Sequence, residues 1–430
     1  MVNLLEVLHK EIMPAEGCTE PIAVAYAVSL AAELVEEEIT GIELFLSGNI
    51  IKNAMGVGIP GTGQTGLPIA AALGAVVRRS ERKLEILSGL TPAELASAEG
   101  LLERKLLEVE LKDTPEKLYI EARVHSKNHT ATAILVKEHT NVQYLAKDGQ
   151  RLEPKMDKAD CGDPLSLDPE VYSVSLEDIY AFVQNTPFGD LRFLLEGAVM
   201  NKAISEEGLR GEYGLQVGRK MSQQSALNLF GADVANRIIA ATAAASDARM
   251  DGSAMPVMTT AGSGNQGIAC TMPVIALAEL LGKDEETLAR AMALSNLITI
   301  HVKHYIGRLS PLCGSGIAGG VGAGSGIVYL MGGTLAQIKH SIQNTIASTS
   351  GMICDGAKPT CALKISTATN AAIQSATLAM NDISAGLNDG VIFEKVEDTI
   401  KNMETLVQEG LAATDQAILN IMLSKGAASS

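Results

Sequence analysis

Apolar positions recur at helical spacing over residues 2–13 and 21–38, and the segment PAEGCTEP separates the two runs. Proline and glycine interrupt the 3.6-residue period there, so two helices joined by a sharp turn are expected. The pattern then shortens to alternation in GIELFLSG (41–48), KLYIEARVH (117–125) and TAILVKEHTNVQYLAK (132–147), which runs into Asp148-Gly149. Alternation at period two predicts strands, and Asp-Gly a turn. Beyond about residue 175 the signals are nearly all helical. SLEDIYAFVQNT opens on Ser175 as an N-cap, and further helical patterns run through 216–248, 273–300, 335–348 and 391–424. The fold class expected is α+β, with a mixed α/β part over residues 1–170 and a mainly helical domain over residues 171–430. The polar stretch KMDKADCGDPLSLDPE (155–170) reads as the connection.

Composition sharpens this picture. A chain of 430 residues is long enough to bury two cores. Hydrophobic residues make up 47% but aromatics only 3%, Trp is absent and Gly numbers 41, so the interior must be filled by small aliphatic side chains and close backbone contacts. Lys and Arg total 34 against 50 Asp and Glu, a formal net charge of −16, and no basic run exceeds RRSERK at 78–83. A nucleic acid or other polyanionic partner is therefore disfavoured. The segment MVNLLEVLHKEIMPAEG carries Glu6 and Glu11 inside its apolar stretch and lacks the order of a signal peptide, so a cytoplasmic chain with reduced thiols is expected. GIAGGVGAGSGIVYLMGG (316–333) is uncharged, but its many glycines add little apolar area. A buried helix packed against neighbours fits better than a membrane span.

The GxGxxG pattern occurs at Gly56–Gly61, Gly61–Gly66, Gly262–Gly267 and Gly314–Gly319, too often in so glycine-rich a chain to mark a nucleotide site. The best of these, in TTAGSGNQGIACTMPVIALAELL, has Asp284 downstream, yet Pro273 interrupts its helix and no βαβ series surrounds it. What these loops do offer is backbone N–H groups with Ser47, Asn49, Ser263, Asn265 and Gln266, suited to a carboxylate or phosphate.

The six cysteines carry more information. Cys18 precedes Thr19, a candidate N-cap, and Pro21 in the first turn, which sets its sulfur at a helix N-terminus where partial positive charge favours thiolate. Cys313, in LSPLCGSGIAG, is expected in the first turn of a helix capped by Ser310. Cys361 opens the helix CALKISTATNAAIQSATLAM, and Cys354 lies just before it across DGAKP. Cys270, in GIACTMPVIAL, reads as a small buried hydrophobe, and Cys161, in DCGDP, as a loop thiol without a role. No C-x-x-C is present, which disfavours a zinc ribbon or a thioredoxin-type pair. A local pair plus one distant thiol suits something larger than one ion, such as an iron-sulfur cluster. Three protein ligands would leave one iron open as a Lewis acid. His301 and His304, three apart in ITIHVKHYIG, lack a third ligand and read as helix-surface or core-polar groups.

The segments GCTEPIAVA (17–25), SGNIIKNAMGVGIPGTG (47–63), GSGNQG (262–267), LCGSGIAGGVGAGSGIVYLMGG (312–333) and GMICDGAKPTCALK (351–364) span nearly the whole chain. In these the chain resembles L-cysteine desulfidases and their uncharacterised bacterial relatives, which are similar to the alpha chains of iron-sulfur L-serine dehydratases. The dehydratase likeness covers mainly the helical second half, while GCTEP and the first glycine loop resemble the desulfidase branch. The resemblance implies an oxygen-sensitive 4Fe-4S cluster held by Cys313, Cys354 and Cys361, with Cys18 as the base. It implies β-elimination from a small amino acid such as L-cysteine, giving sulfide, ammonia and pyruvate without pyridoxal phosphate.

On this reading the substrate carboxylate meets the groups around Ser47, Asn49, Ser263, Asn265 and Gln266, and Lys358 orients the substrate or offsets cluster charge. L-serine dehydration is the alternative within the same class. A cluster-binding sensor without turnover and a nucleotide-dependent enzyme are alternatives of other classes. The expected partners are a small amino-acid substrate and a second copy of the chain in a homo-oligomer, with no nucleic acid or membrane.

Overall fold

The computed structural model describes residues 3–152, 174–223 and 231–427. The predicted connection at 155–170, with Cys161, lies outside the described residues. The mixed α/β first half and helical second half expected from the periodicity are both present, and the fold is α+β.

The sheet runs in the order Leu107–Leu111, Ile39–Leu46, Tyr119–Ser126, Thr130–Val136, Val142–Lys147, Gln150–Arg151. All neighbours are antiparallel except the first two, which are parallel. Strand alternation buries one face: Ile42, Leu44 and Leu46, then Ile120, Ala122 and Val124, then Ala131, Ala133 and Leu135. Against this face pack the helix Thr19–Val35 and, behind it, Leu67–Val77. Asp148 and Gly149 both adopt positive φ, 52° and 77°, as a tight Asp-Gly hairpin turn requires. The parallel edge strand Leu107–Leu111 is missed by the sequence pattern because four of its five residues are exposed.

In the helical part, Ala318–Leu330 is buried on nearly every side, among Gly264–Leu281, Glu285–Ile306, Leu335–Thr349 and Cys361–Ala379. This is the uncharged glycine-rich stretch, and glycine is what lets its neighbours close in. A Cβ at Gly322 would stand 2.0 Å from Thr299 Oγ1 and 2.5 Å from the Ser295 carbonyl. Ser175 caps its helix through the Asp178 N–H, as expected. Among the described residues no helix is long and apolar enough to cross a membrane. The pattern over 216–248 resolves into Val217–Ser222 and Val234–Met250, separate helices flanking the undescribed residues 224–230.

Two large apolar cores result, one under the sheet and one among the helices. The chain ends cross between them. Leu4, Val7, Leu8 and Ile12 of the first helix join the helical core, and Leu419 of the helix Thr414–Ala427 joins the sheet core. The seam between the cores is thereby tied from both sides.

A Gly322→Ala chain should unfold at lower denaturant concentration than wild type, by about 1–3 kcal/mol for overpacking. Gly100→Ala, in a helix with open space around the added methyl, should gain about 0.5–1 kcal/mol. Urea midpoints of the two variants check the contrast.

Candidate active site at the seam between the two cores

Cys18 is itself the N-cap of Thr19–Val35, with extended backbone at φ −98° and ψ 136°. Thr19, expected in that role, is the first helical residue. The preceding Gly17 carbonyl accepts a hydrogen bond from Arg249 Nη2 at 2.7 Å, which pins the turn to the end of the helix Val234–Met250. The thiol is buried, at 3% exposure, and packs with Val57, Met250, Ala357 and Cys361. Sequence position favours thiolate, but burial dominates and pushes this pKa up from its ordinary value; the Arg249 guanidinium opposes the rise and Glu20 adds to it.

The other three thiols are brought together by a small β-bridge. Leu312 pairs with Ile353 in antiparallel fashion. Cys313 N–H donates to Met352 O at 2.8 Å and Cys354 N–H to Pro311 O at 2.7 Å. Residues alternate in facing across such a bridge, so Cys313 and Cys354 share the face opposite Leu312 and Ile353. This corrects the expectation for Cys313: its helix begins only at Ala318, and the sulfur instead accepts from Gly316 N–H at 3.4 Å. Cys361 is the first residue of Cys361–Ala379, as its sequence predicts, with Thr360 as N-cap.

The four thiols share one electrostatic field. Burial pushes Cys361 up to about 12, and the neighbouring Cys313, Cys354 and Cys18 thiols add to the rise. Cys313 is raised by burial and then by Cys354. All four are free. Cys270 is a core thiol, as expected: it is fully buried, raised to about 11 by that burial, and spends its hydrogen-bonding on Gly267 O and the Thr260 hydroxyl.

Lysines surround the thiols. Lys52, 1% exposed, ion-pairs with Asp415 of the last helix at 2.6 Å and donates to Cys354 O at 3.3 Å. Lys364 pairs with Asp355 and donates to Ile353 O at 3.0 Å. Lys358 donates to the Asp355 and Lys52 carbonyls. Lys303, 7% exposed, faces Cys354 and Cys313, and burial lowers its pKa to about 8.

Of the other sequence candidates, Ser47 and Asn49 are committed to structure. Ser47 Oγ donates to Lys117 O at 2.9 Å and accepts from Tyr119 N–H, while Asn49 Nδ2 donates to Asp415 at 3.1 Å. Ser263 caps the helix Gly264–Leu281. Asn265 lies against Ser246 and Met250, next to the Cys18 cluster, and Gln266 Nε2 donates to Thr260 O at 3.0 Å. The nucleotide reading fails here. The strand before Gly262 is the two-residue Val257–Met258, antiparallel to Pro14–Ala15, so no parallel βαβ unit feeds this loop. His301 is buried and His304 exposed on Glu285–Ile306, each edge-on to Tyr305.

Sequence reasoning missed Arg249, Lys303 and Lys52. A charged residue inside an otherwise apolar helical stretch, as Lys303 is in ITIHVKHYIG, was the one available signal.

The donor set suits a cluster. Among the described residues no three His, Cys, Asp or Glu groups stand close enough to share one ion. Cys313, Cys354 and Cys361 are free and near enough to act on one another electrostatically, and thiols are the donors that an iron-sulfur cluster takes.

The model of the serine dehydratase alpha chain family matches residues 81–420. The chain belongs to this family. The family implies a lyase-type amino-acid dehydratase and is typically iron-sulfur-dependent and free of pyridoxal phosphate. It is similar over 98% of both chains to a UPF0597 protein of Clostridium perfringens (53% identical). It is also similar to UPF0597 proteins of Oleidesulfovibrio alaskensis (43%, over 98% of this chain and 97% of the relative) and Porphyromonas gingivalis (42%, over 98% of both). These names carry no substrate.

One further carboxyl on the Arg249 helix titrates in an informative range. Asp247 accepts from Gly218 N–H at 2.9 Å, its second oxygen is buried without a partner among the described residues, and burial raises its pKa to about 7. The folded state therefore holds this proton more tightly than the unfolded chain, where the value is near 3.8. The stability it contributes is complete below the unfolded value and is lost as pH rises toward about 7. Asp247→Asn should flatten the fall in urea midpoint over that window.

Proposed function

We propose that this protein is an iron-sulfur-dependent, pyridoxal-phosphate-independent lyase that eliminates the β-substituent of a small amino acid, with L-cysteine as substrate and pyruvate, ammonia and sulfide as products. The observation that carries this reading is the proximity of Cys313, Cys354 and Cys361 to one another among lysines, with Cys18 packed against Cys361. Cys313, Cys354 and Cys361 would hold the cluster. When bound, it supplies a Lewis-acidic iron without a protein ligand, which activates the leaving group.

The remaining work falls to the chain. Cys18, beside Arg249, takes the α-proton on its sulfur; the guanidinium stabilises the thiolate form that a base requires. Burial at the seam excludes water until elimination is complete. The enamine released by loss of the α-proton and the β-sulfur then tautomerises and hydrolyses to pyruvate and ammonia without further catalysis. Lys358 and Lys364, flanking the Cys354 loop, offset the thiolate charge. L-serine, losing water in place of sulfide, is the second reading, and membership of the serine dehydratase alpha chain family favours it.

Anaerobic assays of iron-reconstituted protein test this directly. Pyruvate with stoichiometric sulfide from L-cysteine, faster than pyruvate from L-serine, is expected; the reverse order assigns the dehydratase reaction, and no product from either amino acid overturns the enzyme reading. Cys18→Ser should keep its iron and lose turnover by about 100-fold or more, the usual contribution of a positioned base. An unchanged rate would remove Cys18 from that role.

A further inference from the structure

We propose that Lys303, whose ammonium closes on the backbone at Gly314, forms the carboxylate subsite of the substrate site. Lys303 sits in the last turn of Glu285–Ile306 and is 7% exposed. Among the described residues its ammonium makes no hydrogen bond or ion pair. The neighbouring cations only sharpen the demand for an anion. Arg308 and Lys117 both act on Lys303 with like charge, and Arg308 is already spent on Glu11 at 2.8 Å. Each of the other buried or half-buried lysines near the thiols has an acceptor: Lys52 has Asp415, Lys364 has Asp355, and Lys358 has backbone carbonyls. A buried, uncompensated ammonium is costly unless something anionic completes it.

The geometry at Gly314 indicates where that anion goes. A Cβ there would stand 2.8 Å from Lys303 Nζ and 2.5 Å from Gln266 Oε1, so both polar ends converge on the residue that follows Cys313. A substrate whose β-carbon faces the cluster thiols would set its carboxylate within reach of Lys303, while Gln266 Oε1 can accept from the α-ammonium. The subsite rests on the amino-acid lyase reading above and extends it to the residue that selects α-amino acids.

The test is calorimetric titration with L-alanine, which carries the amine and carboxylate but no leaving group. It is run on wild type, Lys303→Met, Lys303→Arg and Gly314→Ala, each with and without reconstituted iron, and iron per chain is measured alongside. Lys303→Met should lose about 30-fold or more in affinity for L-alanine, as expected for removing one partner of a buried charge pair, with iron content unchanged. In turnover the loss should appear mainly in KM, with a smaller effect on kcat. Lys303→Arg should recover part of the affinity, and Gly314→Ala should weaken it by displacing both polar ends, which keeps the test intact if the methionine variant folds poorly.

Wild-type affinity in Lys303→Met overturns the subsite. So does loss of iron with L-alanine binding preserved, because Lys303 would then serve the cluster alone. A wild-type chain that binds L-alanine through Lys303 yet takes up no cluster would support the subsite and contradict the lyase reading, so the two failures are distinguishable.

Discussion

The site depends on the pairing of Leu312 with Ile353, one antiparallel bridge that fixes two distant cysteines on the same face. Two backbone hydrogen bonds bracket it, Cys313 N–H to Met352 O and Cys354 N–H to Pro311 O, and each uses the main chain of a proposed ligand or its neighbour. Cysteine side chains are short, so the placement of their sulfurs is set almost wholly by the backbone. Cys361 is then delivered by the start of the next helix, and Cys18 by the start of a helix from the opposite core. The framework is held from outside by Lys52, which links the last helix to the Cys354 carbonyl through Asp415.

Charge is distributed against the overall trend. A chain of net charge −16 concentrates lysines and an arginine around four thiols, and several of these cations are buried. Burial is the largest effect on Cys18, Cys313 and Cys361 and raises the pKa of each from the ordinary thiol value. Metal binding would reverse this by displacing the protons, and the lysines then face a negative centre instead of one another. The arrangement suits a pocket that accepts anions: thiolates on one side and a carboxylate on the other.

Much of this was legible in the sequence, for physical reasons. The strands Ile39–Leu46, Tyr119–Ser126, Thr130–Val136 and Val142–Lys147 and the long helices follow from periodicity, because their buried faces are continuous. The helix start at Cys361 follows from the Pro359-Thr360 signal. The Leu312–Ile353 bridge left no local trace, since each arm is a single residue. Arg249 and Lys303 were hidden for a related reason: their importance lies in what they face across the seam, and a linear pattern records only their own helix. The glycines of 316–333, too poor in apolar area for a membrane span, were legible as a buried helix, and they are the contact surface of Ala318–Leu330.

The account stands on three thiols holding a four-iron cluster with one iron left open. Mössbauer spectroscopy of the iron-reconstituted protein, before and after addition of L-cysteine, is its most direct measurement. About a quarter of the iron signal should shift on substrate addition while the rest stays unchanged, and Cys313→Ala should not assemble the cluster. A uniform response of all the iron, or a complete cluster in the Cys313→Ala chain, would contradict it.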